Sequence, residues 1–205
     1  MPDGPGGPAW DGAGPPGSTP LDPDDAVGLI PSWVATRADL NEVEQRNIVD
    51  GLDRRRWKAT SLDVVLDDLT VRSLHRDMFG RVWRWAGTYR SREANIGVDP
   101  LVIAASVRDL MEDARQWVSG DRPMLTDEAG CSFHHRLVQI HPFPNGNGRH
   151  ARVMTDLLLR ALGAEPFTWG RDSLDAAGTT RDTYIAALRA ADSHDLEQLL
   201  RFVRT

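Results

Sequence analysis

The stretch from His141 to Arg152 combines residue types that are suited to phosphate chemistry. It reads HPFPNGNGRHAR, with a histidine at its start and arginines at positions 149 and 152. A glycine-rich loop that opens a helix binds anions, because the first backbone N–H groups have no intrahelical partner and the helix dipole is positive there. Two guanidinium groups on the first turn of that helix favour a polyphosphate over a single phosphate group. A histidine just outside the loop is placed to act as a base beside the bound phosphate.

Apolar residues at helical spacing flank this stretch on both sides. The segment 131–140 carries apolar side chains on one helical face, and the segment 153–162 does the same. Pro142 and Pro144 prevent one continuous helix from running through both segments. The sequence therefore predicts a helix, a tight loop and a second helix.

Each component of the stretch also has an ordinary structural interpretation. Asn-Gly is a common turn signal, a single histidine usually has a structural role, and paired arginines usually lie on a solvated face. A plain turn, however, needs neither the histidine nor the arginines. We therefore interpret the combination as a phosphate-binding site with a base beside it.

The complete stretch resembles the signature of the Fic (Fido) family, His-x-Phe-x-acid-Gly-Asn-Gly-Arg-x-x-Arg. It matches at every defined position except Asn145, where the family usually has Asp or Glu. The resemblance implies a protein adenylyltransferase, which transfers AMP from ATP to a hydroxyl of a target protein. Residues 40–45 and 95–98 are similar to the branch called mobile mystery protein B, whose members are typically encoded beside a helix-turn-helix partner protein.

The resemblance implies a role for each signature residue. His141 would accept the proton of the Ser, Thr or Tyr hydroxyl of the target protein, and Phe143 would anchor the loop in the core. Backbone amides would hold the phosphates, Asn147 would belong to the anion hole, and the second arginine would contact the γ-phosphate. The residues expected to bind nucleotide are Gly146, Asn147, Gly148, Arg149 and Arg152.

Asn145 is the position that is expected to weaken metal binding. The family acid holds Mg²⁺, a hard cation that prefers charged oxygen ligands. An asparagine keeps a carbonyl oxygen at the same reach but loses the negative charge. We expect weak Mg²⁺ binding, with the triphosphate supplying most of the ligands.

Residues 81–100 differ from the rest of the chain because their residue types alternate with a period of two. Aromatic and polar residues alternate from Trp83, and polar and apolar residues alternate at 95–98, so a short inserted β-hairpin is predicted. The alternative is an aromatic-rich connector that packs on the core. By resemblance the hairpin would be the family's flap, at about 90–99, which binds the target by strand addition. The target-binding residues expected there are Asn95, Ile96, Gly97 and Val98.

An N-terminal helix is predicted from a cap at Thr36 or Asp39 to about Asp50. Many Fic proteins carry a helix whose glutamate pairs with the second signature arginine and blocks the γ-phosphate. Glu42 and Glu44 are the candidates for that role, although neither lies in the usual Ser/Thr-x-x-x-Glu-Gly/Asn context. The ordinary interpretation of both is a solvated helix charge.

The predicted fold class is all-α, a Fic-type helical bundle with the short inserted hairpin. Residues 1–25 contain seven prolines and six glycines and are expected to form a disordered tail. Residues 26–58 would be an N-terminal helical segment that packs on the core, and residues 59–205 would be the Fic domain.

Composition narrows the possible partners and compartment. The 205 residues include 24 basic and 30 acidic side chains, and the net charge of −6 argues against direct binding to nucleic acid or a membrane surface. No signal peptide or membrane-spanning stretch is recognisable. Cys131 is the only cysteine, so no internal disulfide is possible and a reducing cytoplasm is expected, with the thiol packed in the core.

Three functional hypotheses follow. The first is an adenylyltransferase that uses ATP and Mg²⁺. The second is a silent nucleotide-binding Fic scaffold in a two-component module. The third is another reaction at the same site, either removal of AMP from a protein or transfer of a different phosphate-linked group.

Overall fold

Helices joined by loops make up the computed structural model, which describes residues 23–54, 57, 61–171, 174 and 178–205. The all-α prediction is confirmed for this part of the chain. The predicted disordered tail lies mostly outside it, although the last residues of that tail belong to a one-turn helix. The helices are α1 (Pro23–Ala26), α2 (Arg37–Leu52), α3 (Leu62–Val65), α4 (Asp68–Phe79), α5 (Ile103–Ser119), α6 (Thr126–Ile140), α7 (Asn147–Ala161), α8 (Thr179–Asp192) and α9 (Glu197–Phe202), with a 3-10 turn at Pro100–Val102.

The prediction of a β-hairpin in residues 81–100 is wrong. This segment contains no strand, and its only sheet-like pairing is one isolated bridge between Leu29 and Trp83. The aromatic residues that suggested alternation serve packing instead. Trp83 is buried in the core and stacks on Trp85 with 4.9 Å between ring centroids. The alternative, an aromatic-rich connector on the core, is the observed arrangement.

Backbone pairing also explains why the 90–99 loop does not fold back on itself. The N–H of Arg90 donates to the carbonyl of Pro142 at 2.9 Å, and the N–H of Val98 donates to that of Ile140 at 3.3 Å. The donors that a hairpin would use between its own strands are thus directed at the end of α6. The loop is fastened to the signature segment at both of its ends.

The main core lies between α4, α6 and α7, with α5 packed on α6. These helices bury apolar faces whose spacing is helical, which explains why the three-to-four-residue pattern predicted them. α6 and α7 pack directly against each other, so the loop that joins them lies at the end of the core. The core therefore holds both helices that flank the signature loop.

α2 packs against α4 and begins where the sequence indicated. The Thr36 side chain accepts from the Asp39 N–H, and the Asp39 carboxylate accepts from the Thr36 N–H, which is a capping box. Leu40 and Ile48 are buried on the inner face of the helix. The helix is thereby fixed against the body of the protein.

A second apolar cluster lies at the C-terminal side, where α8 and α9 pack on each other and α9 contacts α6. Cys131 is buried in this cluster, and burial raises the pKa of its thiol to about 12. The prediction that this cysteine packs in the core is confirmed. None of the helices in the described part of the chain has the length and apolar composition needed to cross a lipid bilayer.

Candidate active site

The signature segment forms the helix, loop and helix that its sequence predicts. α6 ends at Ile140, and His141 follows in the left-handed conformation with φ of 52°. α7 begins at Asn147, with Gly146 as its N-cap at φ of 80° and no side chain capping its first turn. The loop therefore delivers uncapped backbone N–H groups at the positive end of α7, close in sequence to the histidine.

Phe143 fixes this loop in the core, as predicted. Its side chain is fully buried and stacks on the ring of His75 with 3.7 Å between centroids. His75 Nε2 donates to the backbone carbonyl of Asn145 at 3.0 Å, while its Nδ1 accepts from the Gly87 N–H at 3.0 Å. These two bonds define one neutral tautomer, and burial lowers the pKa of His75 well below its usual value. Sequence reasoning missed this brace, because His75 lies in α4, far along the chain from the loop.

Asn147 closes the loop through its side chain. Its Oδ1 accepts from the Phe143 N–H at 2.9 Å, and its Nδ2 donates to the Phe143 carbonyl at 2.7 Å. The amide group is therefore used to hold the loop shape. Because the side chain of Asn147 is already hydrogen-bonded, only its backbone N–H at the start of α7 can bind an anion.

Gly146 occupies a position that strongly favours glycine. Its φ is 80°, and a Cβ atom built there would lie 2.7 Å from the ring of Phe79. The Gly146 N–H donates to the Asn145 Oδ1 at 2.6 Å. Asn145 thus turns its oxygen toward the loop backbone and occupies one of the amides expected to hold phosphate.

This donor set does not form a magnesium site made by the chain itself. Asn145 offers a single neutral oxygen that is already hydrogen-bonded. Among the residues that the structure describes, no group of three or more His, Cys, Asp or Glu side chains could hold a metal ion. Mg²⁺ prefers several charged oxygens in octahedral geometry, and those would have to come from elsewhere.

His141 lies at the junction of α6 and the loop and is only 6% exposed. Burial, followed by the nearby charge of Arg90, lowers the pKa of His141 to about 4, against an ordinary value of 6.5. The imidazole is consequently neutral at neutral pH and able to accept a proton.

Arg90 holds the backbone around His141, and sequence reasoning did not identify it. Its Nε donates to the His141 carbonyl at 2.7 Å, and its other nitrogens donate to the carbonyls of Arg92 and Val98. The side chain is buried, and burial lowers its pKa. A guanidinium at the carbonyl end of α6 also complements the negative end of the helix dipole. The string that ends at this arginine, Trp-Ala-Gly-Thr-Tyr-Arg, was the one available signal.

Arg149 does not face an open anion site in this structure, because it is paired with Glu44 of α2. The two side chains are 2.6 Å apart between Nη2 and Oε2, and the Arg149 side chain is 17% exposed. The other oxygen of Glu44 accepts from Trp83 Nε1 at 2.6 Å. The predicted phosphate clamp is therefore occupied by a carboxylate from the N-terminal helix.

The two N-terminal glutamates have different environments. Glu42 is exposed and pairs with Arg46 one turn along α2, so its interpretation as a solvated charge is confirmed. That interpretation is wrong for Glu44, which is only 2% exposed. The resemblance implied contact with the second signature arginine, whereas the carboxylate contacts the first, Arg149. Glu44 faces inward because it shares a helical face with Leu40 and Ile48.

Arg152 is directed toward a different layer of the protein. Its Nη1 lies 4.0 Å from where a Cβ on Gly148 would be, and its side chain hydrogen-bonds that of Tyr184 in α8. The Tyr184 hydroxyl is also joined to His134 Nε2 at 2.8 Å. The two signature arginines thus contact different helices, Arg149 with α2 and Arg152 with α8. Tyr184 carried no recognisable signal in the sequence.

The 90–99 loop lies directly on the histidine. A Cβ atom at Gly97 would be 2.8 Å from the Cβ of His141, and the φ of Gly97 is 116°. Of the four residues expected to bind a target, Gly97 is in contact with His141, and Ile96 is exposed. The loop therefore brings exposed backbone to the side of the candidate base.

Known proteins resemble this chain in sequence and in fold. A family model described as Fic/DOC matches residues 65–159. Protein adenylyltransferase fic-1 of Caenorhabditis briggsae is 28% identical over 171 residues, which cover 78% of this chain and 32% of that protein. Protein adenylyltransferase Fic of Drosophila yakuba is 24% identical over 171 residues, which cover 80% of this chain and 33% of that protein. The chain spans about a third of the length of these curated relatives.

Solved structures share the fold at lower identity. The N-terminal Fic domain of a putative cell filamentation protein from Bartonella quintana, with bound ADP, has a TM-score of 0.64 and 15% identity, covering 84% of this chain and 86% of that chain. BepC from Bartonella tribocorum, with bound AMPPNP, has a TM-score of 0.64 and 14% identity, covering 83% and 87%. The mobile mystery protein B branch is not tested by these matches and stays a prediction. Residues 65–159, which contain the signature loop between α6 and α7, thus match the Fic/DOC family model, and the chain is similar to curated protein adenylyltransferases and shares the fold of solved Fic domains.

Proposed function

We propose that this protein transfers AMP from ATP to a Ser, Thr or Tyr hydroxyl of a target protein. In this reaction the hydroxyl oxygen attacks the α-phosphorus, and a new P–O bond forms to the target. The bond between the α-phosphorus and the bridging oxygen breaks, and pyrophosphate leaves with the electron pair. His141 takes the hydroxyl proton, which typically contributes ~10²–10⁴-fold to the rate.

The observation that carries this proposal is the neutral His141 directly before the uncapped N-terminus of α7. Its pKa of about 4 leaves the imidazole unprotonated at neutral pH. The N–H groups at the start of α7 and the side chains of Arg149 and Arg152 provide positive potential for phosphate groups. A structure that only bound nucleotide would not need a base in this position.

The relatives support the nucleotide class. The curated relatives carry the name protein adenylyltransferase, and two of the similar structures contain ADP or AMPPNP. ATP is therefore the proposed substrate. The helix-turn-helix partner and the cytoplasmic location stay predictions, the latter resting on the single cysteine.

We further propose that Mg²⁺ enters with ATP and is held mainly by triphosphate oxygens. This follows from the donor set around Asn145, which offers one neutral oxygen. Replacing Asn145 with Asp is expected to lower the Mg²⁺ concentration needed for half-maximal ATP binding, with ATP binding in the absence of Mg²⁺ unchanged or weaker. An unchanged Mg²⁺ dependence would show that position 145 does not face the metal.

Glu44 is the proposed inhibitory residue, acting on Arg149. A carboxylate at 2.6 Å from the guanidinium occupies the group that would otherwise contact phosphate. The structure then corresponds to a resting state in which α2 competes with the nucleotide for one arginine. Glu42, on the solvated face, has no such role.

The transfer reaction can be tested with ATP labelled at either end of its phosphate chain. The protein is incubated with cytosolic lysate and ATP carrying ³²P at the α- or the γ-position, beside the His141→Ala variant. Protein bands labelled only from the α-position, and absent with His141→Ala, are expected.

The remaining outcomes decide between the alternative reactions. Label from the γ-position alone would indicate transfer of a different phosphate group. Release of AMP from a pre-labelled target, with water as the acceptor, would indicate removal of AMP from proteins. No labelling by the wild type or by the Glu44→Gln variant would refute AMP transfer and leave the nucleotide-binding scaffold.

A further inference from the structure

A groove of about 500 Å³ lies between the 90–99 loop, α6 and α8, and we call it the side groove. Its floor is apolar, with Ile96 and Val98 from the loop, Val138 from α6 and Ile185 from α8. The Ile96 side chain is 43% exposed, whereas an isoleucine in a packed core is buried. The side groove is therefore an apolar surface that the described part of this chain leaves open to solvent.

The rim of the side groove is positively charged. Arg136 and Arg189 lie on its edge and are exposed. Asp192 also lines the groove, but its Oδ1 accepts from His135 Nε2 and from Gln139 Nε2, both at 2.9 Å. The Asp192 side chain is 54% exposed but already accepts these two hydrogen bonds, and Arg136 Nη1 donates to Gln139 Oε1 at 3.3 Å. The rim therefore carries two guanidinium groups and one hydrogen-bonded carboxylate. On a chain with a net charge of −6, such a rim favours an acidic partner.

The side groove is continuous with the candidate active site through three consecutive residues. Gly97 rests against His141, and its neighbours Ile96 and Val98 line the groove. The Val98 N–H is bonded to the last carbonyl of α6, at Ile140, which fixes this order of residues. An extended polypeptide advances ~3.3 Å per residue, so a segment with its hydroxyl at His141 reaches the groove within a few residues.

We propose that the side groove binds the stretch of the target protein that flanks the modified hydroxyl, and that it selects an apolar residue accompanied by an acidic one. This proposal rests on the proposed function, since it assigns the substrate specificity of the same site. The apolar side chain would lie on the floor formed by Ile96, Val138 and Ile185. The carboxylate would pair with Arg136 or Arg189 at the rim.

Peptide binding without ATP tests the groove independently of catalysis. Fluorescein-labelled peptides carry one Ser, Thr or Tyr acceptor, with either Leu and Glu or Ala and Lys at nearby positions on both sides. Their affinity for the full chain is measured by fluorescence anisotropy at low salt. The Leu/Glu peptides are expected to bind roughly tenfold more tightly than the Ala/Lys peptides. Equal affinity for both sets would overturn the proposal.

Charge reversal at the rim tests whether the two rim arginines cause the peptide preference. In the Arg136→Glu/Arg189→Glu variant the affinity for Leu/Glu peptides should fall roughly three- to thirty-fold, because two exposed ion pairs become repulsive. The matched control is Arg201→Glu on α9, an exposed arginine outside the groove, which should leave the peptide affinity unchanged. Preference that survives the double reversal would refute a role of the rim.

Two further measurements distinguish peptide binding in the groove from self-association and from the transfer reaction. Light scattering of the wild type and the double variant should give the same mass; a wild-type dimer that the variant loses would mean that a second copy occupies the groove. If the protein prefers Leu/Glu peptides but α-labelled ATP gives no transfer, the proposed function is refuted and the groove proposal is retained. If transfer proceeds with no preference, only the groove proposal fails.

Discussion

The enclosure of His141 determines the properties that suit it to the proposed role as a base. The ring is buried beside the guanidinium of Arg90, and both effects disfavour the imidazolium form. A triphosphate bound at the start of α7 would add negative charge nearby and favour that form again. Nucleotide binding thus prepares the histidine to keep the proton that it receives.

An NMR titration of the histidine ring should reveal this change. In the free protein the His141 signal, assigned by its loss in His141→Ala, is expected to titrate near pH 4 and to stay constant between about pH 7 and pH 5.5. Saturating AMPPNP should raise its pKa by roughly one unit or more. A free-protein pKa near 6.5 would contradict the enclosed environment.

Glu44 offers a second test at the scale of one side chain. Glu44→Gln keeps an acceptor for Trp83 but removes the charge on Arg149, so ATP is expected to bind roughly five- to fifty-fold more tightly. Isothermal titration calorimetry measures this affinity, and auto-modification should rise in parallel.

The matched control is Glu42→Gln, an exposed glutamate on the same helix. It should leave ATP affinity unchanged. Glu44→Gln should also lower the melting temperature without ATP, because Arg149 loses its partner in a partly buried site. A lower melting temperature with unchanged ATP affinity would make the ion pair purely structural.

At the scale of elements, the 90–99 loop and α6 behave as one unit because Arg90 joins them. Its guanidinium contacts the carbonyl of His141 and two carbonyls of the loop. A buried charge that bonds only such carbonyls contributes chiefly to geometry. The position of the loop and the backbone of the base are therefore linked.

Substitution of Arg90 should reduce turnover more than ATP binding. Arg90→Met is expected to lower kcat roughly tenfold to a hundredfold through misplacement of the base, and to raise the pKa of His141 by removing a nearby positive charge. Arg90→Lys keeps the charge but cannot span three carbonyls, so kcat should fall with the pKa unchanged.

The control for these substitutions is Arg84→Met, at an exposed arginine of the same connector. Steady-state kinetics of α-labelled AMP transfer gives kcat and KM, and NMR gives the pKa. Variants of Arg90 that melt earlier but retain kcat and the His141 pKa would contradict the positioning role.

Local patterns predicted the elements well where each element depends on its own residues. The capping residues before α2, the prolines that separate α6 from α7 and the apolar face of α5 are all local, and each led to a correct helix or loop. The hairpin failed because aromatic alternation in residues 81–100 reflects packing of Trp83 and Trp85 on helices. Tertiary contacts between distant segments, such as Glu44 with Arg149, leave no periodic trace in the sequence.

The protein as a whole should be sensitive to acid. Burial lowers the pKa of His134 and His150 to about 3 and that of His141 to about 4, and it lowers the pKa of His75 well below 6.5. The unfolded chain binds protons on these groups near pH 6.5, and the folded chain does not. The free energy of unfolding is therefore complete above about pH 6.5 and falls as the pH drops toward 3.

One carboxylate acts in the opposite direction. Burial raises the pKa of Asp156 to about 6, so the folded state binds its proton earlier than the unfolded state does. This group adds stability as the pH falls from about 6 toward 3.8. The four histidines outnumber it, and the net loss between about pH 7 and pH 5 is expected to be several kcal/mol.

Urea unfolding at a series of pH values measures this dependence. His150→Gln retains a donor for the Val71 carbonyl and should reduce the pH slope by about one proton, ~1.4 kcal/mol per pH unit. His194→Gln, at an exposed position, should leave the slope unchanged. A stability that is constant from pH 7 to pH 5 would contradict the neutral buried histidines.

The contact between Glu44 and Arg149 joins residues 105 positions apart. If a phosphate and this carboxylate compete for one guanidinium, ATP binding and release of α2 are thermodynamically coupled, and the coupling is reciprocal. A second protein that bound α2 only in its released state would then raise the affinity for ATP. ATP would in turn raise the affinity of that protein for α2 by the same factor. Binding of another molecule to the N-terminal helix would then change the ATP affinity of the signature loop, which is an allosteric effect.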